Sequence, residues 1–596
     1  MTNRHKLALK APALLSLIIG AALALLAASS WTPSLVTPAH AQVPSPAEVQ
    51  IAGVRAVAER RAFANFSDLA ARRPFANTAG RPASIAIHRP LIGRAGEIVE
   101  DGEAFGADSL GDLTENAANL TERRRHRNHL HTASFPAQGD TGNVTPPDTQ
   151  GTVGPHHLMV TLNNNVTIES RTGAVLQSVS IAGFWSSLGS ISEAFDPRVL
   201  YDPYANRWII SAGANAASPS SYILIGASAT SDPTGGWFLY KVKVGASGQS
   251  WADNPTLGFN GDWIVVQANV FTVGDFAFLG SHIYAFNKAD LYAGGSGQYT
   301  MFQDSTGFSD YPAVTHDNTL ATEYLVRNWN SGAGTLRIST ITGPVGSEVL
   351  TTGVAYPKAS SGWQDSAPLT NFAPQLGSNS KIDTDDSRIE NCVYRNGSLW
   401  AAQTAYLPAS GTPNRSIAQW WQVNTASGSL GVVQQFGRVD SASAQYDYAY
   451  PTLDVNARDD MMIGYSRFGA SQYASANYSF RLHNDPPNTL GPDTVFKAGE
   501  APYFKDFGTG DNRWGDYSNV AVDPVNDRDF WTIQEYAGTA NNWGTWWENV
   551  SFDTAAPTPT PTATATATPS PTRTPTATPT PGCNNHHRRH HRHQPC

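Results

Sequence analysis

The stretch DPRVLYDPYANRWII, from Asp196 to Ile210, begins with an Asp-Pro turn and ends in an apolar run. A similar rhythm returns in DSRIENCVYRNGSLWAA, from Asp386 to Ala402. In both stretches a short strand-like run is followed by a polar turn and then by a more apolar run. The turn of the first copy contains Asn206, a residue type that tolerates tight-turn geometry. The two stretches therefore indicate one recurring unit of short strands.

The same unit can be aligned at further points of the chain, roughly every 50 to 75 residues. Its aligned starts are Asp148, Asp196, Asp253, Asp310, Asp386, Ala449 and Asp516. One unit contains the four strand-like runs PRVLYD, RWIISAG, YILIGAS and WFLYKVKV. Repeats of this length with four short strands are typical of β-propeller blades. We therefore predict an all-β fold, a seven-bladed β-propeller of four-stranded blades. A sandwich array or two smaller barrels is the structural alternative.

Composition divides the rest of the chain into further segments. The N-terminus combines basic residues, an apolar run and an A-x-A pattern before Gln42, which predicts a signal peptide; an uncleaved membrane anchor is the alternative. An Ala- and Arg-rich segment with helical spacing follows and predicts a partly helical leader or propeptide. The Thr/Pro-rich C-terminal end is predicted to be disordered. The predicted segments are a signal peptide (1–41), a leader (42–139), the propeller (140–553), a Thr/Pro-rich linker (554–581) and a His/Arg-rich tail (582–596).

The charge and cysteine content limit the classes of function. The 596-residue chain has a net charge of -9 and no sustained basic face, which argues against nucleic-acid binding. Its three cysteines do not form a disulfide framework, and Cys392 lies in a strand-like run, where a buried thiol is expected. No second apolar run of spanning length follows the signal sequence. We expect a monomer that is secreted or associated with the cell surface and has no membrane span after signal cleavage.

Four motifs carry a resemblance to a known group of proteins. They are PPDTQGTVGP from Pro146, DPRVLYDPYANRW from Asp196, DYPAV from Asp310 and RWGDYSNVAVDP from Arg513. The chain resembles, over residues 145–552, a family of exported bacterial proteins with a propeller-like β domain. The resemblance implies the fold but no general enzymatic activity. In layout the chain also resembles sialidase-like and repeat propellers, although the sialidase Asp-box, S-x-D-x-G-x-x-W, is not present as such.

The repeated aspartates predict a site at one mouth of the central channel, because the first strand of each blade lies innermost. One interpretation is that each aspartate caps a turn; the other is a Ca²⁺ site. Nearby arginines could clamp a carboxylated sugar or another anion, or could link neighbouring blades. No cofactor other than possible Ca²⁺, and no metal-ligating residue, is assigned. The predicted ligand-binding residues are Asp148, Asp196, Arg198, Asp253, Asp310, Asp386, Arg388, Arg513, Trp514, Asp516 and Tyr517.

The function predicted from these features is recognition of a glycan or a protein partner at the channel mouth. The alternative is an extracellular polysaccharide-acting hydrolase or lyase that uses the same mouth, and a third possibility is a structural envelope component. A glycosidase needs two carboxylates beside the scissile bond, or a tyrosine nucleophile with an acid. Catalytic residues stay unassigned; candidates by position only are Asp310, Glu323, Asp516, Glu535, Tyr311, Tyr450 and Tyr517.

Overall fold

The computed structural model describes residues 48–72, 130–189, 191–245, 248–441, 443–506, 510–539 and 541–552. These residues belong to one compact unit, Ala47–Cys596. The predicted signal peptide, linker and tail lie outside the described residues, as does part of the predicted leader. Among the residues described, no helix is both long and apolar enough to cross a membrane.

Within the described ranges strands are the main secondary structure, and helices are few and short. The strands of the first part are β1 (Val49–Ala52), β2 (Val54–Val57), β3 (Arg60–Asn65), β4 (Leu130–Gly139), β5 (Gln150–Val153), β6 (His157–Thr161), β7 (Asn165–Ser170), β8 (Val175–Ser180), β9 (Ala194–Asp202), β10 (Arg207–Ala214), β11 (Tyr222–Ser228), β12 (Gly236–Lys243), β13 (Ser250–Phe259), β14 (Trp263–Thr272), β15 (Phe278–Asn287) and β16 (Gln298–Asp304).

The second part continues the same alternation of strands and turns. Its strands are β17 (Tyr311–Pro312), β18 (Val314–Thr315), β19 (Glu323–Asn330), β20 (Thr335–Thr342), β21 (Val349–Ala355), β22 (Asn371–Gln375), β23 (Ser378–Asp383), β24 (Ile389–Arg395), β25 (Ser398–Leu407), β26 (Arg415–Asn424), β27 (Val433–Val439), β28 (Asp447–Val455), β29 (Met461–Gly469), β30 (Gln472–Arg481), β31 (Thr494–Lys497), β32 (Asn519–Val522), β33 (Phe530–Ala537) and β34 (Trp543–Ser551). Short helices lie at Phe66–Ala71, Ile181–Trp185, Ser186–Leu188 and Lys288–Tyr292.

The sheets confirm an all-β propeller, but the predicted count of seven four-stranded blades is wrong. Five sheets stand as separate blades, and the remaining ten strands form one continuous sheet. The separate blades are β5-β6-β7-β8, β3-β12-β11-β10-β9, β1-β21-β20-β19-β17, β23-β22-β29-β30-β31 with β28 beside β29, and β32-β33-β34-β4. The ten-stranded sheet runs β2-β16-β15-β14-β13-β18-β24-β25-β26-β27. The propeller therefore has five separate blades instead of seven.

The two-residue strand β18 is the reason for the continuous sheet. It pairs in parallel with β13, through Phe259 and Val314, and in parallel with β24, through Val314 and Val393. The backbone can approach this closely because position 258 is a glycine, and a Cβ there would lie 2.5 Å from the carbonyl oxygen of Pro312. The sequence period marks where strands begin but carries no information about pairing between neighbouring units. It therefore overestimated the number of separate sheets.

Residues 49–65 form strands, so the predicted helical character of the leader is wrong there. β1 pairs with β21, β2 with β16 and β3 with β12, each antiparallel and each on the outer edge of a sheet. A six-residue helix follows at Phe66–Ala71, and the Asn65 side chain caps it by accepting from the backbone N–H of Asp68. The segment forms strands because pairing with a sheet edge satisfies the backbone N–H and C=O groups of both partners. We call residues 49–65 the strap.

The last blade is completed by a strand from the beginning of the described chain. β4 pairs antiparallel with β34. Side chains of β34 then reach the first blade: Trp547 Nε1 donates to Glu169 Oε2 at 3.1 Å, and Trp543 Nε1 donates to the carbonyl of Val144 at 3.1 Å. Trp543 and Trp547 therefore pack between sheets. Trp546 is the exception and is only half-buried.

Local predictions for the unit at Asp196 are confirmed. Its four predicted runs are β9 to β12, and Asn206 forms the turn between the first two with a left-handed φ of 54°. Cys392 is a free, fully buried thiol, also as predicted.

Burial of Glu169 gives an expected pH dependence. Burial raises the pKa of this carboxyl to about 7, against the opposing hydrogen bond from Trp547. A carboxyl whose pKa is raised on folding makes the protein lose stability as pH rises from the unfolded value to the folded one. We expect Glu169→Gln to remove this loss, on the order of 2–3 kcal/mol between pH 4.5 and pH 8. Urea unfolding across that range measures it, with the exposed Glu48→Gln as control; parallel curves for wild type and Glu169→Gln would contradict the prediction.

Candidate functional site

Most inner strands begin with a left-handed kink. The residues with positive φ at or beside the aligned starts are Asp148, Asp196, Asn254, Ser309, Asp385 and Tyr450. Such a conformation costs roughly 1–2 kcal/mol in a non-glycine residue, so the kinks need compensating contacts. Hydrogen bonds between neighbouring units supply these contacts.

Side chains from one unit hold the kink of the next. The Asp196 N–H donates to Asn163 Oδ1 at 2.8 Å, and the Asn254 N–H donates to Asp196 Oδ2 at 3.0 Å. The Asp516 N–H donates to Asp148 Oδ1 at 3.1 Å, which links the last unit to the first. These aspartates therefore cap turns, which is the architectural one of the two interpretations. Asn163 and Asn254 were not singled out from the sequence, although asparagine in LNNN and DNP is a turn signal.

Four of the six predicted aspartates influence one another electrostatically. Burial raises the pKa of Asp148 to about 6, and the charge of Asp516 adds to the rise. The pKa of Asp196 lies well above its usual range because of burial and the charges of Asp148 and Asp253. Arg513 compensates part of this charge, since its Nη2 donates to both oxygens of Asp516 at 2.7 and 3.0 Å. These four carboxyls thus lie close together as predicted. Their hydrogen bonds, however, are made with backbone N–H groups and Arg513.

The other two aspartates are each held by an arginine. Arg388 donates to both oxygens of Asp386 at 2.8 and 2.6 Å. Arg337 donates to Asp310 at 2.8 Å and to Asp304 at 2.5 Å, and all three of these side chains are buried. Sequence analysis missed Arg337, whose signal was a lone charge in the apolar run of β20.

Arg198 differs from the other two predicted arginines. Its Nη2 donates to Asn254 Oδ1 at 3.2 Å, and its Cζ lies 3.2 Å from the ring centre of Tyr517 and 5.8 Å from that of Tyr311. The side chain is 3% exposed, yet Nε and Nη1 have no hydrogen-bond partner among the described residues. Arg198 forms no ion pair there either. It is a buried cation with two unused donors.

A narrow cavity of about 70 Å³ runs along the inner strands. We call it the channel cavity; it is lined by residues of β5, β9, β13, β17, β24, β28 and β32, with Arg198 and Tyr311 among them. None of the six aspartates lines it. One end of the channel cavity is lined by Pro203, His316 and Asp527, which lie beyond or near the ends of inner strands. We call this end the strand-end mouth. The predicted aspartate mouth and the channel cavity are therefore separate features.

The face on which the inner strands begin, the strand-start face, carries an exposed tryptophan. Trp329 is 37% exposed, with Arg327 Cζ 5.0 Å and Arg337 Cζ 5.3 Å from its ring centre. The Tyr356 ring lies 5.6 Å away. Nearby, Arg388 Cζ lies 5.3 Å from the half-buried Phe308 ring. These six residues are the Trp329 surface, which adjoins Asp310 through Arg337.

All of the catalytic candidates except Asp516 are buried, and several form hydrogen bonds to the backbone. Glu535 is buried and accepts from the Gly515 N–H at 2.8 Å. The hydroxyls of Tyr450 and Tyr517 donate to the backbone carbonyls of Asp383 and Pro197 at 2.9 and 3.0 Å. Burial raises the pKa of Glu323 well above its usual range. Trp514, predicted to bind ligand, is fully buried and donates to Ser466.

The predicted Ca²⁺ has no further support from geometry. In the described part of the chain, no group of three or more His, Cys, Asp or Glu side chains is arranged to hold a metal ion. The Ca²⁺ interpretation stays a prediction.

No protein-family model matches the chain, and no curated protein matches it either. Solved structures resemble it only distantly. A Drosophila plexin A in complex with semaphorin 1b has 7% identity and a TM-score of 0.31 over 71% of this chain and 87% of that one. A Trypanosoma rangeli sialidase in complex with sialic acid has 10% identity and a TM-score of 0.32 over 65% and 57%. A Bacillus subtilis arabinanase has 14% identity and a TM-score of 0.24 over 49% and 98%. The predicted membership of an exported bacterial family therefore stays a prediction carried by its motifs.

Proposed function

We propose that the protein is a recognition module that binds a glycan or a protein partner through the Trp329 surface. The observation that carries the proposal is the exposed indole of Trp329 beside two guanidinium groups. In the described residues it is the one tryptophan among the large apolar side chains that are exposed. An indole left in solvent is a stacking platform for a sugar ring or an apolar partner side chain.

Polar groups around the indole can supply orientation. Asn330 is exposed beside it, and Asn328 and Asp365 form a hydrogen bond of 2.9 Å on the same surface. Arg327 keeps its charge at neutral pH although burial lowers its pKa to about 10. An aromatic ring with amide, carboxylate and guanidinium neighbours is the combination used for sugar hydroxyls and for polar protein surfaces. A carboxylated glycan would additionally gain from the arginines.

The enzymatic alternative, a polysaccharide hydrolase or lyase, has weaker support. Its candidate carboxyls Asp310, Glu323 and Glu535 are buried, whereas general acid catalysis requires contact with the substrate. Action outside the cell, as a secreted or cell-surface protein, and a monomeric state also belong to the proposal. The proposed action outside the cell rests on the signal-like residues 1–41.

The test is binding by the full chain to a panel of neutral and acidic polysaccharides and a surface-protein extract, with product analysis on the same samples. We expect Trp329→Ala to weaken binding at least tenfold, about 1.4 kcal/mol, with an unchanged unfolding midpoint because the side chain is exposed. The matched control is Tyr204→Ala, an aromatic residue 43% exposed and next to Pro203 of the strand-end mouth. Equal loss in both variants, or none in Trp329→Ala, would contradict the proposed surface. Released oligosaccharide would replace recognition with catalysis.

A further inference from the structure

Among the described residues, the guanidinium of Arg198 is a buried positive charge without an ion pair. It lies against the channel cavity, and two of its three nitrogens, Nε and Nη1, lack a partner among the described residues. A buried donor without a partner costs about 1–3 kcal/mol, and more when it is charged. A buried charge also needs a counter-ion. Contacts among the described residues supply neither for these two nitrogens.

Neighbouring groups do not neutralise the Arg198 charge. Tyr517 and Tyr311 offer ring faces, which attract a cation but accept no ion pair. Asp454 also lines the cavity, but it accepts from His316 Nε2 and from the Val522 N–H, both at 2.8 Å. The charge of Arg198 acts on Glu390, but among the described residues no ion pair joins the two. Burial raises the pKa of Glu390 well above its usual range, and the charge of Asp385 adds to the rise, so its neutral form is favoured. Asp196 is occupied by the Asn254 N–H.

The cavity limits what can reach Arg198. Its volume of about 70 Å³ corresponds to roughly five water positions at the ~10–15 Å³ that each requires. From residue 198 to residue 203 the strand covers about 16 Å, at ~3.3 Å per residue. The cavity is therefore a narrow passage from the strand-end mouth, too small for a sugar ring. A single small ion with its waters can be accommodated.

We propose that the channel cavity binds a small monovalent anion, of the size of chloride or formate, on Arg198 at Nε or Nη1. The anion neutralises the buried cation, and water in the cavity satisfies the other nitrogen, because the N–H bonds of Nε and Nη1 point in different directions. Its position between inner strands of several sheets makes it a stabilising ligand of the propeller. The proposal is independent of the Trp329 surface, because the two sites share no residue.

The first experiment measures the unfolding midpoint of the full chain in sodium salts at constant ionic strength. Chloride and formate are compared with gluconate, which is too large for the cavity. We expect the midpoint to rise with chloride and with formate, following the stabilisation of a folded state by its ligand. Arg198→Met should lose this rise, whereas Arg327→Met, a surface control, should keep it. Glu390→Gln should also keep it, because the anion and not Glu390 balances the charge.

The second experiment uses the wild-type protein and so does not depend on a variant that folds. Crystals soaked in sodium bromide should show an anomalous peak within hydrogen-bond distance of Arg198 Nε or Nη1. A salt response that is the same in Arg198→Met and wild type, or density without anomalous signal at this position, would overturn the proposal and assign the donors to water. Loss of the response in Glu390→Gln would assign the charge balance to Glu390 instead.

Discussion

Arg337→Met is expected to lower the free energy of unfolding by about 3–5 kcal/mol, the cost of removing one partner from a buried ion pair. The Arg337 side chain is 2% exposed, and its partners Asp304 and Asp310 are 4% and 2% exposed. The substitution leaves two buried carboxylates without their cation. Urea unfolding of the full chain at pH 8 measures the loss.

The pH dependence of this variant separates charge from packing. Burial alone would raise the pKa of Asp304, but the Arg337 charge and the hydrogen bonds of Thr306 outweigh it and lower that pKa. A lowered pKa stabilises the wild type at neutral pH, and the contribution is lost as pH falls through the folded value. In the variant the Arg337 charge no longer opposes burial, so the pKa of Asp304 rises and its protonation relieves part of the loss, which should be smaller at pH 4 than at pH 8. Arg415→Met, which breaks the more exposed pair with Asp440, should cost no more than about 1 kcal/mol. An equal loss in the two variants would contradict the role of the buried triad.

Gly258→Ala is expected to cost about 3 kcal/mol, at the upper end for overpacking, although it adds one methyl group. The added Cβ would lie 2.5 Å from the Pro312 carbonyl oxygen and 2.6 Å from that of Ala313. Both are backbone atoms, so no side chain can rotate away. The clash falls where the Phe259 N–H donates to the Ala313 carbonyl at 3.1 Å, beside the parallel pairing that continues the ten-stranded sheet.

Gly139→Ala is the matched control for this prediction. A Cβ at position 139 meets nothing within 4 Å. Both substitutions reduce the flexibility of the unfolded chain to the same extent. The difference between their unfolding midpoints therefore isolates the contact with Pro312 and Ala313. If both variants unfold like the wild type, the close approach of β13 to its neighbour is looser than described.

The sequence predicts the β-propeller class and the four strands from Asp196, because strand period and turn chemistry are local properties. It also predicts that aspartates meet where inner strands begin. What it misses is non-local. The parallel pairing through β18 and the edge pairing of residues 49–65 depend on segments far apart in the chain. An Ala-rich segment has helical propensity on its own, and only the available sheet edges make it a strand.

The candidate site shows the same division. Arg198 and Arg388 occupy equivalent sequence positions, two residues after an aspartate, yet one is buried without an ion pair and the other is paired with Asp386. Their shared position after an aspartate cannot tell them apart, because the difference arises from the neighbours that surround each guanidinium. Trp329 was not singled out either, since the exposure of one tryptophan among those that the structure describes is set by tertiary packing.

The strap sets an order of events during synthesis. Val49 is made early, but its partner Thr352 follows 303 residues later, and β4 waits still longer for β34. At ~5–20 residues per second, β1 of the strap remains without its sheet edge for at least about 15 seconds after it is made. During that interval its backbone N–H and C=O groups are open to other chains. Maturation of this protein is therefore expected to be slow and most vulnerable to aggregation before β21 has been made, so that a holding chaperone would act on the first residues longest.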